Sequence, residues 1–243
     1  MDIYIIIFSA LIIFFASVVQ GATSFGFALV AASLLTFLFP MKIVVPMVVI
    51  CSFVNNIIVV YSTKHFINIR NVWLMILFGI LGIPIGVFGL NTIDPELLKL
   101  IVGILILITS ISMAKGYKIK FKRKNLSYGL TGFISGVLNG SVSISGPPIV
   151  LFLSNEGCDK NEFRANLALY ALITNGLTII VFAIDNLLST DMVSIFAIIF
   201  LPLLLGSFLG LFISNKIPDK YFKKIVLFLL IIISIVTIIK SIL

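Results

Sequence analysis

The stretch Gln20-Gly21-Ala22-Thr23-Ser24-Phe25-Gly26 breaks a long apolar run near the start of the chain, and Asn139-Gly140-Ser141-Val142-Ser143-Ile144-Ser145-Gly146-Pro147-Pro148 breaks another in the second half. Backbone that leaves the helix inside a bilayer exposes unpaired N–H and C=O groups, each of which costs several kcal/mol in lipid. Such a break persists only where protein or a water-filled cavity surrounds it. Two breaks in corresponding positions of two halves therefore predict the substrate site of a transporter.

The composition of the chain indicates an integral membrane protein. Hydrophobic residues make up 60% of the 243 residues and charged residues only 11%, which is more apolar surface than a soluble protein of this length can bury. The first apolar run, 3–19, follows Asp2 instead of basic residues and has no cleavage site. We therefore predict a retained membrane segment and no removable signal peptide.

The net charge of +8 has its largest part in the connector 115–124, which lies between two apolar runs. This pattern is typical of a cytoplasmic loop that follows the positive-inside rule, so no nucleic-acid partner is expected. Cys51 and Cys158 do not have the spacing of a metal site. We expect neither a metal nor another cofactor.

Six uninterrupted apolar stretches have about the 20 residues that a transmembrane helix needs. The stretches 3–39 and 126–153 hold the two breaks. The first has room for two spans or for two short helices that meet in the membrane, whereas the second is too short for two spans. The six predicted spans are 43–62, 72–90, 96–114, 162–184, 191–213 and 221–242.

The charges of the connectors predict how these spans are oriented, because basic connectors favour the cytoplasmic side. The orientations alternate only if the chain enters and leaves 126–153 on one face of the membrane. The stretch 3–39 does the same if the N-terminus lies outside. Three basic connectors (62–71, 115–124 and 215–224) are then inside and two acidic ones (91–96 and 185–191) outside.

The same pattern predicts two inverted repeats. Each half is a broken or re-entrant helical hairpin followed by three spans, and an odd number of crossings gives the halves opposite orientations. Matches in register support a duplication: Gln20 corresponds to Asn139 at an offset of 119, and Asn55 to Asn175 at 120. At an offset of 124, Gly82, Gly86, Asn91 and Lys99 match Gly206, Gly210, Asn215 and Lys223.

The predicted fold is therefore an all-α integral membrane protein with about eight transmembrane helices. An N-terminal repeat, 1–118, is joined by a basic cytoplasmic linker, 119–125, to a C-terminal repeat, 126–243. Both chain termini are predicted to lie outside. No span carries a carboxylate away from its ends, which disfavours a buried-carboxylate proton relay and favours anion efflux driven by the membrane potential.

The two breaks are predicted to meet near the bilayer midplane and to bind an anion. A helix restarts after each break, at 25–39 and at 148–153, and a helix N-terminus has unpaired N–H groups and about half a positive charge. Hydroxyl groups add donors, and glycine lets the backbone turn and approach a ligand. The predicted substrate-binding residues at the breaks are Gln20, Gly21, Thr23, Ser24, Gly26, Asn139, Gly140, Ser141, Ser143, Ser145, Gly146 and Pro147.

Three polar residues within the spans complete the candidate site. Asn55 and Asn175 lie in the middle of spans, where an amide either binds substrate or ties helices together. Arg164, at the inner end of 162–184, either attracts an anion to the cytoplasmic mouth or anchors its helix in the lipid headgroups. Isolated Gly-x-x-x-Gly pairs, in contrast, are predicted to pack helices.

The two broken stretches resemble the signature stretches of the TauE/SafE sulfite-exporter family. The resemblance lies in 20–27 and 140–148, of which the Ser-Gly-Pro-Pro run is the more specific, and it extends over essentially the whole chain. It implies a permease of the bacterial inner membrane that exports sulfite, sulfonates, sulfoacetate or related anions. The chain departs from the family pattern at 31–33, where a proline is usual. It also has Ser141, Ser143 and Ser145 where many members have glycine.

The leading hypothesis is thus a secondary transporter, in the export direction, of small sulfur-containing anions. The alternatives are a permease for another small solute, such as a carboxylate or a metal, and a non-transporting assembly subunit of the membrane. An enzyme is disfavoured, because the single histidine lies at a span end and no cluster of cysteine and histidine is present. The predicted partners are the substrate anion and the lipid bilayer, and a homodimer is left open.

Overall fold

The computed structural model describes residues 3–94, 124–188 and 190–218, together with scattered positions between 97 and 111 and between 221 and 239. Every regular element in these residues is a helix. Five helices are long and apolar enough to cross a membrane, which confirms the predicted all-α membrane class. The predicted spans 96–114 and 221–242 lie outside the continuously described ranges.

Eight α-helices fill the continuous ranges, and two short 3-10 turns, Lys64–Phe66 and Ile69–Asn71, join the third helix to the fourth. The spans predicted at 43–62, 162–184 and 191–213 each lie within one of them, and 72–90 begins one residue before α4. The helices are α1 (Ile3–Thr23), α2 (Phe27–Leu35), α3 (Met41–Thr63), α4 (Trp73–Thr92), α5 (Lys124–Val142), α6 (Gly146–Glu156), α7 (Lys160–Ile184) and α8 (Thr190–Lys216).

Each break separates a long helix from a short one. The 21 residues of α1 precede the 9 of α2, and the 19 residues of α5 precede the 11 of α6. At 1.5 Å per residue, α2 and α6 are about 14 and 17 Å long, roughly half the hydrocarbon thickness. The breaks are shorter than predicted, since only 24–26 and 143–145 leave the helical conformation.

Close helix pairs join the two halves. The packing is most extensive between α4 and α5 and between α1 and α8, while α3 packs against α7. Glycine permits this close approach of the helix backbones, since any other residue would clash. A Cβ added at Gly86 would lie 2.1 Å from the carbonyl oxygen of Val137. A Cβ at Gly210 would lie 2.3 Å from the carbonyl oxygen of Val18. The Gly-x-x-x-Gly pairs therefore pack helices, as predicted.

Candidate functional site

A cavity of about 350 Å³, counted with its open mouth, lies where the two breaks meet. The first break contributes 24–26 and the second contributes 143–145, and Ser52 of α3 and Ala171 of α7 also line it. We call this space the break cavity. The structure thus brings both predicted breaks to one place.

A serine in the left-handed backbone conformation stands at the tip of each break. Ser24 has a φ of 65° and Ser143 a φ of 62°, and the two are 119 positions apart in the sequence. This conformation is uncommon for residues other than glycine and costs of order 1–3 kcal/mol, so it persists where the surrounding structure enforces it, often at functional sites. Gly26, with a φ of 94°, then leads into α2.

The side chain of Gln20 holds the start of α2 in place. Its Oε1 accepts a hydrogen bond of 3.2 Å from the backbone N–H of Phe27, and its Nε2 donates one of 2.7 Å to Oδ1 of Asn56 in α3. The next two N–H groups, of Ala28 and Leu29, have no partner within an α-helix. Both residues line the break cavity, so the start of α2 presents N–H donors there.

The start of α6 presents fewer donors than the start of α2. Pro147 and Pro148 occupy its first turn and have no N–H group. Gly146 lines the cavity, and a Cβ added there would meet nothing nearer than Phe25 at 3.6 Å. The predicted oxyanion cradle, which assumed two equivalent helix starts, is therefore unequal, with α2 as its stronger half.

Arg164 lies directly behind the first break. Its side chain is only 2% exposed, and its Nε donates a hydrogen bond of 3.2 Å to the hydroxyl oxygen of Ser24. Its Nη2 donates one of 2.8 Å to the carbonyl oxygen of Gly21. The headgroup-anchor interpretation is therefore wrong, because the guanidinium points into the protein and not to the membrane surface. Among the described residues no carboxylate forms an ion pair with it.

A chain of amide side chains joins α3 to α7 beside the cavity. The hydroxyl oxygen of Ser52 accepts a hydrogen bond of 3.1 Å from Nδ2 of Asn175 and one of 3.4 Å from Nδ2 of Asn56. Asn55, in contrast, faces away from the cavity. Its Nδ2 donates to Ser17 at 3.3 Å, and its Oδ1 accepts from the hydroxyl of Ser207. Asn55 thus ties α1, α3 and α8 together, whereas Asn175 positions a residue of the cavity wall.

Two of the predicted hydroxyl ligands are bonded to backbone carbonyls instead of facing the cavity. The hydroxyl of Thr23 donates to the carbonyl oxygen of Val19 at 2.8 Å and to that of Phe25, in the break, at 2.7 Å, and that of Ser141 donates to the carbonyl oxygen of Val137 at 2.9 Å. Neither residue lines the break cavity. Of the predicted hydroxyls, three do: Ser24, Ser143 and Ser145.

Four further predicted residues support the site without lining it. A Cβ added at Gly21 would lie 2.4 Å from the carbonyl oxygen of Ser207 in α8. A Cβ added at Gly140 would lie 2.5 Å from the carbonyl oxygen of Ile83 in α4. Pro147 is buried in the first turn of α6. Asn139 donates from Nδ2 to Thr178 at 2.9 Å, while its buried Oδ1 has no partner. These residues pack helices or hold the second break.

Besides Phe25, Ala28, Leu29 and Ile144, which lie in the breaks or in the predicted helix restart, sequence reasoning missed three residues of the cavity wall. They are Ser52 in α3 and Leu167 and Ala171 in α7. Ser52 lies four positions before Asn56, so the two side chains share one helix face. That spacing could have pointed to Ser52. Leu167 and Ala171 carry no signal that separates them from other apolar positions.

Comparison with known proteins bears on the identity of the chain. No curated protein and no solved structure matches it. A family model gives a match that leaves out only the first 8 and the last 6 residues of the 243. With residues 9–237 matched by the model of the sulfite exporter TauE/SafE, the chain belongs to that family of membrane transporters.

Proposed function

We propose that this protein exports small sulfur-containing anions, such as sulfite, sulfonates or sulfoacetate, and that the break cavity is its substrate site. Membership of the sulfite exporter family supports the class of solute. The observation that carries the site is the meeting of two strained serines, Ser24 and Ser143, in one cavity with the buried Arg164 behind the first of them.

The charge of the site favours an anion. A buried cation without a counter-ion is costly, and Arg164 is bonded to a hydroxyl and a carbonyl instead of a carboxylate. An anion in the cavity would neutralise this charge and would also accept hydrogen bonds from the start of α2. A metal cation would be repelled by the same groups, so the metal permease is the weaker alternative.

The proposed architecture is an inverted repeat in which α1–α4 correspond to α5–α8. Exchange of the two sets converts each close pair into another close pair: α1 with α8 becomes α5 with α4, and α3 with α7 becomes itself. The strained serines also correspond, at an offset of 119. We place the protein in a bacterial inner membrane, with about eight spans and both termini outside, so that Arg164 lies on the inner side of the cavity.

Substrate transport then follows from this arrangement. Half-helices that meet at the midplane are the usual site of transporters with inverted repeats, and alternating access comes from movement of one bundle against the other. Export of an anion from a cell that is negative inside releases about 2.3 kcal/mol per charge per 100 mV. We therefore expect a potassium–valinomycin clamp in liposomes to change the rate of transport.

The deciding experiment is counterflow uptake in proteoliposomes against sulfite, thiosulfate, sulfoacetate, taurine and short carboxylates. Gly146→Leu should abolish uptake, because its side chain would enter the cavity from a position with free space around the Cβ. Gly89→Leu in α4 is the matched control, since a Cβ there also meets nothing nearer than 3.6 Å. Normal uptake by Gly146→Leu would remove the site assignment.

The orientation has a separate test. A C-terminal alkaline phosphatase fusion, which is active only outside the cytoplasm, should be active if both termini lie outside. A fusion to a reporter that is active only in the cytoplasm should then be silent. The opposite pattern would contradict the proposed orientation and leave the substrate assignment untouched.

A further inference from the structure

Ser52 has an unusual hydrogen-bonding state for a serine within a transmembrane helix. Hydroxyls in such helices usually donate to the carbonyl oxygen about one turn earlier. Thr63, in the same helix, does so to Val59 at 2.8 Å, and Ser141 does so to Val137 at 2.9 Å. For Ser52 the part of the chain that the structure describes offers no such bond.

The hydroxyl oxygen of Ser52 is instead an acceptor. Asn175 and Asn56 both donate to it, at 3.1 and 3.4 Å. Since a hydroxyl carries one proton and two lone pairs, these two bonds occupy the oxygen and leave the proton for another acceptor. Ser52 lines the break cavity, so the proton is available to a ligand there.

The hydroxyl of Ser24, at the first break, is also an acceptor. Its oxygen accepts from Nε of Arg164 at 3.2 Å, and it also lines the cavity. The amide oxygen of Gln20 accepts from the N–H of Phe27. The hydroxyls of Ser52 and Ser24 are therefore arranged as donors, whereas the hydroxyl of Ser143 donates to the carbonyl oxygen of Val142 at 2.5 Å.

We propose that Ser52 is a specificity-determining residue that, together with Ser24, donates hydroxyl protons to the substrate and selects a fully ionised oxyanion. This inference rests on the proposed transport function and names the chemistry that the site recognises. A sulfonate exposes oxygens that only accept. A sulfonamide of nearly the same shape has an N–H at one of these positions. This N–H would face a serine hydroxyl that is also a donor, so that no hydrogen bond forms between them.

The second half of the chain makes the recognition one-sided. Ala171 of α7, 119 positions after Ser52, also lines the cavity but has no polar group. The second half therefore supplies no hydroxyl equivalent to that of Ser52. Removal of the Ser52 hydroxyl should therefore have its full effect on substrate binding, because no hydroxyl at the corresponding position replaces it.

The test compares wild-type protein with Ser52→Ala and with Ser141→Ala in proteoliposomes. The readout is counterflow of labelled sulfite and its inhibition by methanesulfonate and by methanesulfonamide. For the wild type we expect methanesulfonate to inhibit better than the sulfonamide for two reasons: the mismatch of donors, which has an effect of roughly tenfold to a hundredfold, and the negative charge that only the sulfonate presents to Arg164. Ser52→Ala should raise the KM for sulfite by the first factor and lower the discrimination by about as much, while the part that comes from the charge remains. Ser141→Ala, whose hydroxyl is bonded to a carbonyl, should change neither.

Ser52→Cys is the control for a loss of transport that comes only from altered helix packing. Its sulfur still accepts hydrogen bonds from the two amides, while its S–H donates only weakly. We expect a wild-type melting temperature in detergent and a reduced discrimination ratio. Sulfite counterflow with a wild-type KM and ratio in both Ser52 variants would overturn the inference alone. Absence of sulfite counterflow in the wild type would overturn the proposed function together with it.

Discussion

Replacement of Arg164 by methionine should raise the KM for the transported anion at least tenfold while most of the protein stays folded. The substitution keeps an unbranched apolar side chain and removes a buried positive charge. It also removes two hydrogen bonds, to the hydroxyl of Ser24 at 3.2 Å and to the carbonyl of Gly21 at 2.8 Å. The two losses act on different quantities and can be measured separately.

The effect on folding is a difference of opposing terms. A buried carbonyl left without a donor at Gly21 costs about 1–3 kcal/mol. Against this, the protein no longer has to bury a guanidinium that no carboxylate neutralises within the described part of the chain, and that penalty amounts to several kcal/mol. We therefore expect a small shift of the melting temperature in either direction and a near-normal yield.

Loss of the Arg164 charge can only weaken the binding of an anion. A ligand bonded to the hydroxyl of Ser24 would be separated from the guanidinium by two hydrogen bonds, or roughly 6 Å. At an effective dielectric constant of about 20, two unit charges at that distance attract by about 2–3 kcal/mol. Loss of this attraction corresponds to a factor of about 30 to 150 in affinity. The smaller figure still exceeds the tenfold threshold of the prediction.

The assay is initial-rate sulfite counterflow, normalised to the amount of monodisperse protein in the liposomes. Arg164→Lys is the matched variant, because it keeps the charge but lacks the planar fork that holds Ser24 and Gly21 together. We expect its KM to lie between those of the wild type and Arg164→Met. A wild-type KM for Arg164→Met would refute the role of this guanidinium as the counter-charge. Equal loss in both variants would show that geometry and not charge matters.

Three other residues give independent predictions. Gly86→Ala should lower the yield and the melting temperature but leave the KM of the remaining protein unchanged, because its Cβ would lie 2.1 Å from the carbonyl oxygen of Val137; a normal yield would contradict the close packing of α4 on α5. Gln20→Glu should abolish anion transport, since it sets a negative charge on the cavity wall; uptake at the wild-type rate would speak against an anion site. Burial, together with the charge of Glu162, raises the pKa of the Cys158 thiol to about 11, so the thiolate is scarce at neutral pH and maleimide labelling should accelerate about tenfold per pH unit up to pH 10. A neutral-pH labelling rate equal to that of free cysteine would rule this out.

The positions of the two breaks could be predicted because lipid makes unpaired backbone so costly. Their exact extent could not. Gln20 to Thr23 and Asn139 to Val142 remain helical, since a glycine within a helix costs only about 1 kcal/mol and does not end it. The chain leaves the helix at Ser24 and Ser143, where the left-handed conformation is imposed by tertiary contacts such as the bond from Arg164.

The hydrogen-bond partner of each hydroxyl could not be predicted from the sequence either. Thr23 and Ser24 are adjacent, yet the first is bonded to backbone carbonyls and the second faces the cavity. A hydroxyl can satisfy itself on the preceding turn or serve a ligand, and residue type does not distinguish the two. The same limit applied to Arg164, because a cation near a span end usually marks the headgroup region. Its partners lie 140 and 143 positions away.

If the protein is the inverted repeat proposed above, the departures from symmetry distinguish its two sides. If the halves correspond at an offset of 119, the position equivalent to Arg164 is Val45, and the position equivalent to Ser52 is Ala171. The duplication by itself would offer an anion the same surroundings from both sides of the membrane. Arg164, which has no arginine at the equivalent position of the first half, breaks that equivalence. It lies one turn nearer the start of α7 than Leu167 of the cavity wall, which in the proposed orientation is the inner side. An anion that approaches from the cytoplasm then meets the positive charge before the cavity, as loading for export requires.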